Sequence, residues 1–581
     1  MLRLTFCGIA LLASTLTAQA AKVPVEAFPA NSALVIRVAD VDKTVVKLKE
    51  LVEAVEPAQA EMASATIGGM SGTIIDNPAK LGVKKGSDWW FAAIAEKGSP
   101  KPVLVIAVEA DDVAAVKDAV GDAYTYVEYE NWLLYSKDAD AMKSVKACVD
   151  GDGENVSKSA DMKAQMMIMK ADVGVFINIK QLASQYQGEI EAARDNIDVV
   201  LDAAVAEAQK GAVPAGIDMQ AIMDFYAGLG KSLLDAVGDM NGCLISMSVS
   251  KEGIQFDEYL AVQEGSATSK FLSGSKPDAM QSFAKLPTGE VMYAGVSIDI
   301  AEMTKWGADL MSKFFGPEKT PQADVDEIVK KLDALDMTGY VSSFGLGDLT
   351  SGLFRVAAVY DVKDPSAARE AFQGVFKLMG NIDSPMLKQS TTYEEAAETI
   401  DGQSVDKVTI KQELGVPGGD DPDAELNPQQ AQAQQMQQMA MEMMYGPEGA
   451  VSRMVYLDNL ILATTGGGTE ALSALMKSAA SPKADPALLS TRSKLSPEAN
   501  VIILFDLPSL IAQGVEKASQ FGLLPPGALS LDGIEASYLG YSLSVSESGL
   551  DAKAHIPAAQ LQGLYQIGMQ GFMMYNQLQQ Q

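Results

Sequence analysis

PANSALVIRVADVDKTVVKLKEL, residues 29–51, and PTGEVMYAGVSIDIAEMTKWGADLM, residues 287–311, carry one phrase: a proline-led entry, an apolar strand, an aspartate, then an amphipathic helix. The phrase returns as KADVGVFINIKQLASQY, residues 170–186, and SPEANVIILFDLPSLIAQGV, residues 496–515. In each copy the apolar period switches from two to the helical 3.6 at an acidic or polar residue, a pattern that chance does not readily repeat.

A second phrase, strand–turn–strand–helix, follows two of the copies: WWFAAIAEKGSPKPVLVIAVEADDVAAVKDAV from Trp89 and VSSFGLGDLTSGLFRVAAVYDVKDPSAAREAF from Val341. Each leads to a strand and short helix, NWLLYSKDADAMKSV from Asn131 and DNLILATTGGGTEALSAL from Asp458. The remaining two copies are followed by hairpins, CLISMSVSKEGIQFDEYLAVQ from Cys243 and ASYLGYSLSVSESGLDAKAHI from Ala536. Period-two strands joined by Gly-containing turns read as antiparallel sheet. The expected fold is therefore α+β, with two tandemly duplicated lobes at 21–285 and 286–581, each an antiparallel sheet with helices packed on one face.

The Pro-led opening at Pro29 and Pro287, with the Asp-Asn-Leu-Ile-Leu-Ala-Thr strand from Asp458, resembles the secreted bacterial family called domain of unknown function 3352. That resemblance implies a fold and an exported location; the family brings no catalytic residues to transfer.

Residues 1–20 read as a signal peptide: Arg3, an apolar run from Leu4 to Leu16, and the small-residue triplet Ala18-Gln19-Ala20. The run falls short of the ~18 residues a membrane span needs. Export to periplasm or medium is expected, with no membrane insertion after cleavage and with Cys7 removed. Against 76 Asp and Glu stand 45 Lys and Arg, a net charge of −31 that disfavours nucleic acid and anionic lipid. Cys148 and Cys243 remain, and an oxidising compartment permits a disulfide between them worth about 4–5 kcal/mol in the chain-entropy account, or two free thiols.

Function is expected where the lobes differ. The tight turn at Tyr129–Asn131 is matched, on this reading, by a long excursion at about 411–453, containing GVPGGDDPDAELNP and QQAQAQQMQQMAMEMMYG. The second stretch predicts a helix in which Met436, Met439 and Met443 share one face. Such a face suits a partner protein, Cu(I), or docking on its own lobe.

Signals for chemistry are sparse. His555 is the sole histidine, which removes His-based triads and multi-histidine metal sites. Gly466-Gly467-Gly468 reads as a helix-entry turn, and Ser282 with Lys285 matches S-x-x-K without companion motifs. Asp150, Asp152, Glu154 and Asp161 have the spacing of a calcium-type loop but lack its central glycine and terminal glutamate. Tyr124, Tyr126, Tyr129, Trp132, Tyr135, Trp89 and Trp90 suit a sheet core or a saccharide platform. The leading expectation is an exported, non-enzymatic envelope or secreted scaffold that binds an unknown protein or surface, without catalytic residues, metal or cofactor. A carboxylate-dependent hydrolase of an envelope polymer is the alternative, followed by a small-ligand or metal-binding module.

Overall fold

The computed structural model describes residues 23–579 apart from 63–64, 66–81, 96–100, 159–161, 209–218, 298, 316–321, 336, 338, 349–350, 381, 384–386, 415–427, 523, 525–526, 528 and 530–533. The expected signal peptide, the acidic stretch before Pro428 and Asp161 lie outside these described residues. The chain divides into two compact units, one drawn from 1–45 and 66–185, the other from 46–65 and 186–581. Helix α1 (Val41–Val55) begins in the first and continues in the second.

In the first unit, β1 (Ser32–Val38), β2 (Trp89–Ile94), β3 (Val103–Glu109), β4 (Thr125–Tyr129), β5 (Trp132–Ser136) and β6 (Val173–Ile177) form an antiparallel sheet. Its order is β6-β1-β2-β3-β5-β4. Helices α2 (Val113–Val120), α3 (Ala139–Asp150), α4 (Met162–Lys170) and α5 (Ile179–Gln185) connect the strands. Val116 of α2 packs with Trp89, Val108, Leu133 and Tyr135 from the sheet.

The second unit opens with the long helices α6 (Gln187–Ala208) and α7 (Met219–Gly238), then β7 (Met240–Ser250), β8 (Gly253–Val262), α8 (Ala267–Leu272) and β9 (Met292–Ser297). Next come α9 (Ile300–Phe315), α10 (Gln322–Ala334), β10 (Gly339–Leu346), β11 (Phe354–Asp361) and α11 (Pro365–Met379). The chain continues through β12 (Ile382–Asp383), β13 (Leu387–Ile400), β14 (Gln403–Leu414), α12 (Pro428–Tyr445), β15 (Ala450–Leu457) and β16 (Leu460–Thr465). It closes with α13 (Gly468–Ala480), α14 (Pro486–Arg492), β17 (Val501–Phe505), α15 (Leu507–Gln520), β18 (Leu539–Ser546), β19 (Gly549–Pro557) and α16 (Ala558–Gln579). The sheet is antiparallel throughout, in the order β7-β8-β19-β18-β17-β9-β10-β11-β16-β15-β14-β13-β12.

Strand alternation builds two cores in this unit. Leu462 joins Tyr293, Val359, Leu472, Ile502 and Tyr538. Its neighbour Ile461 points the other way, toward Ala301, Ile328, Leu332 and Ala368. Around β16, both faces of the sheet are covered.

The polar residue that ends each copy of the opening phrase is a helix N-cap. Asp40 accepts from Lys43 N at 3.2 Å, Asn178 from Gln181 N at 3.1 Å, Asp299 from Glu302 N at 3.0 Å and Asp506 from Ser509 N at 3.1 Å. Each satisfies an amide that the first helical turn leaves without a partner. The phrase strands also pair with one another, β1 with β6 and β9 with β17.

The first unit's order β6-β1-β2-β3-β5-β4 recurs in the second as β17-β9-β10-β11-β16-β15. This alignment moves the excursion. The turn at Glu130, with φ 52°, matches the turn at Asn459, with φ 61°, so no insertion falls there. The added material lies before β15 and is larger than expected: the long β13–β14 hairpin as well as α12. The β7–β8 hairpin, assigned from sequence to the N-terminal lobe, hydrogen-bonds along β19 and belongs to the second unit.

Candidate functional site

Helix α12 begins with Pro428 at its first turn, a position that wastes no amide hydrogen bond, and continues through Gln, Ala, Met and Glu, which favour helix. Its C-terminal end is fastened. Leu353 N donates to the Met443 carbonyl at 3.0 Å, and the Tyr445 ring meets Phe354 edge-on at 5.9 Å. Gly352, at φ +92°, lets the backbones meet, since a Cβ there would stand 2.6 Å from the Tyr445 carbonyl carbon. Met436, Met439 and Met443 are 61, 50 and 38% exposed, so the face read from the sequence points to solvent.

Other helices also expose large apolar groups. On α7, Tyr226, Leu229 and Leu233 stand exposed at the spacing of one helical face, and on α9 so does Trp306, whose ring lies 6.3 Å from Phe225. Exposed charge pairs also bridge α6 and α7, Lys231 with Asp198 at 2.7 Å and Arg194 with Asp235. On α16, Gln560 and Ile567 are buried, whereas Met569, Phe572, Met573 and Tyr575 are exposed.

A polar cavity of about 70 Å³ lies against Asp278, Met280, Ser282, Ser297, Tyr340 and Asp361. Ser282 Oγ donates to Asp361, and Lys285 Nζ donates to Ser282 Oγ at 3.0 Å and to Asp361 Oδ1 at 2.8 Å. The S-x-x-K pair thus meets a third group that sequence spacing did not reveal. A lysine that donates to the serine and is paired with a carboxylate does not withdraw the serine proton, so the triangle is a closed ion-pair cluster. The cavity has room for a few waters at most and is far below the ~300 Å³ of an ordinary ligand pocket.

Among the described residues, the most strongly buried carboxylate is one that sequence spacing did not reveal. Asp406 of β14 is fully buried and accepts from Arg369 Nε at 2.6 Å, from Ala396 N at 2.9 Å and from Tyr393 OH. Arg369 also pairs with Glu395 at 3.0 Å and lies 5.4 Å from the centre of the Tyr456 ring. Burial pushes the Asp406 pKa up, but the hydrogen bonds from Arg369, Ala396 and Tyr393 outweigh it and hold the group below the usual carboxylate range. Burial and the Asp406 contact push Tyr393 up to about 12. Arg369 and Asp406 are 37 positions apart, and only the long-range pairing of α11 with the β13–β14 hairpin brings them together.

The displaced carboxylates among the described residues, Asp140, Asp239, Glu327 and Asp406, all move downward. A glycosidase-type general acid needs the opposite shift. The aromatic set is largely core: Trp90, Trp89, Tyr129 and Tyr135 are buried, and Tyr129 OH donates to Glu26 at 2.9 Å. Only Tyr124, Tyr126 and Trp132 are half-buried.

Of the calcium-type set, Asp150 ends α3 and pairs with Lys146 at 2.9 Å, and Gly151 follows as a left-handed C-cap. That segment is a helix stop, and no group of three or more His, Cys, Asp or Glu poised to hold a metal occurs among the described residues. Cys148 and Cys243 are free thiols, and no bridge joins them. Cys148 is buried and its Sγ donates to the Glu154 carbonyl at 3.3 Å. Burial raises both thiol pKa values. His555 is buried in β19, where desolvation, and then Lys494, lower its pKa. At Gly466, φ is +73° and a Cβ would lie 2.0 Å from the Phe354 carbonyl oxygen, so the glycine run serves the close approach of β11 and the turn into α13.

No family model, curated protein or solved structure matches this chain.

Proposed function

We propose that this chain is an exported, non-enzymatic scaffold of the cell envelope or secreted fraction, built by duplication of one α+β unit, that holds a protein or surface partner on helices outside its sheets. One observation carries the reading: large apolar side chains are exposed in sets on helix faces, Tyr226, Leu229 and Leu233 on α7 and Met569, Phe572 and Met573 on α16. Single exposed apolar residues are ordinary, but sets at helical spacing are the usual form of an interaction surface. Further support comes from the signal-like residues 1–20, the acidic charge and the closed Ser282–Lys285–Asp361 cluster. Among the described residues no helix is long and apolar enough to cross a membrane.

The test is the native size of the protein in its own envelope and secreted fractions. Wild-type chain is expected to migrate in a complex, and the variant Tyr226→Ser/Leu229→Ser/Leu233→Ser as the free chain with an unchanged circular dichroism spectrum. Migration of the wild type as the free chain in both fractions contradicts the proposal.

A further inference from the structure

We propose that the exposed face of α12 is a binding site for a soft monovalent metal ion, Cu(I) or its air-stable counterpart Ag(I), held by the thioether of Met439 together with Met443 and Met436. The proposal does not rest on the partner reading above, and its test reads a different quantity.

Three features converge on it. The first is the donor set. Met436, Met439 and Met443 occupy positions i, i+3 and i+7 on one helix and all three are exposed. Adjacent members of such a ladder have Cβ atoms about 5–6 Å apart, and the three rotatable bonds of methionine let two sulfurs close on one ion. Met439 is one turn from each of the others, so it belongs to either pair. Soft thioethers select Cu(I) over the hard divalent ions that carboxylates and water hold.

The second feature is placement. The helix is anchored at the end that carries Met443, through Leu353 N and the Phe354–Tyr445 ring contact. The ladder is thereby fastened to the N-terminal end of β11 rather than left on a free stretch of chain. The third is charge. Residues 428–445 contain no Lys or Arg to repel a cation, and Glu442, which accepts from Gln438 at 3.1 Å, puts a negative charge on the same helix.

The thiols and the imidazole are poor rivals for such an ion, and the exposed pairs Met166/Met169 and Met569/Met573 are the thioether alternatives that the methyl signals distinguish. Cys148 is buried with its Sγ engaged, burial disfavours the thiolate of Cys243, and His555 is buried within β19. Thioethers also take no proton in the accessible range. Binding on α12 is therefore expected to be indifferent to pH, whereas imidazole, thiolate or carboxylate ligation weakens as pH falls.

The experiment uses the full chain with Cys7→Ala, Cys148→Ala and Cys243→Ala, so that thiols do not compete, and titrates Ag(I) in chloride-free buffer at pH 7 and pH 5. Calorimetry gives stoichiometry, and methyl-13C methionine NMR identifies the sulfurs. Met439→Leu/Met443→Leu keeps volume and helix propensity while removing both donors. The expected result is one tightly bound ion at both pH values, shifts confined to a subset of methyl signals that includes Met436, Met439 and Met443, and at least about tenfold weaker binding in the variant. Anaerobic competition for Cu(I) against a chromogenic chelator is expected to follow the same order. Equal binding by the double variant, absence of binding, or binding lost at pH 5 each overturns the proposal.

Discussion

Replacing Asp406 with alanine is expected to undock the β13–β14 hairpin from α11. The carboxylate is fully buried and receives Arg369 Nε at 2.6 Å, Ala396 N at 2.9 Å and Tyr393 OH. Breaking a buried ion pair by removing one partner costs about 3–5 kcal/mol. The low end applies here, because the Arg369 side chain is 28% exposed and keeps Glu395 at 3.0 Å. The Ala396 amide and the Tyr393 hydroxyl, on residues that reach solvent, each lose one acceptor at about 1 kcal/mol. The expected loss is about 3 kcal/mol, roughly a hundredfold in local opening. Amide hydrogen exchange reads it: protection across Leu387–Leu414 is expected to fall by about two orders of magnitude, while β1–β6 stay unchanged. A fall of less than about threefold refutes the reasoning. The pH dependence has a definite sign. The folded-state pKa of Asp406 is depressed, so its stabilisation is complete above the ordinary carboxylate range and disappears as pH falls through the lowered value.

Three further outcomes follow from the same geometry. Gly466→Ala is expected to destabilise the second unit by more than about 2 kcal/mol in urea unfolding, because φ is +73° and the new Cβ would meet the Phe354 carbonyl oxygen; a neutral result contradicts the close approach. Asp506→Ala is expected to cost about 2 kcal/mol, the upper end for an N-cap, because Asp506 also accepts from Ser509 Oγ at 2.7 Å and from the buried Gln560 amide at 3.2 Å. Serine-directed fluorophosphonate probes are expected to leave Ser282 unlabelled, since Asp361 and Lys285 already occupy its hydroxyl; mass-spectrometric labelling at Ser282 contradicts the non-enzymatic reading.

What the sequence made legible was local. Each phrase couples a period-two strand to a 3.6-period helix through one capping residue, and Asp40, Asn178, Asp299 and Asp506 accept the amide three positions on, as such caps do. The methionine face was legible for the same reason, since it needs only helical spacing within a single element. The β13–β14 hairpin escaped because TYEEAAETI and QSVDKVTI are polar enough to pass for a solvated loop; their hydrogen bonds to each other and to β15 make them strands. That omission put the excursion at the wrong turn. Asp406 escaped with it, as burial of a charge depends on a partner 37 residues away. Ser282 and Lys285 were visible as a pair, but their meaning turned on Asp361, 79 positions from the serine.

The most direct test of the partner-binding account is site-specific photo-crosslinking in the cells that make the protein. A photoreactive residue is placed at Leu229 of α7, at Phe572 of α16, or at Glu547, an exposed control in the β18–β19 turn. Adducts to a distinct macromolecule from positions 229 and 572, absent from position 547, are the predicted result. Equal, sparse adducts from all three positions would contradict the claim that these helix faces hold a partner.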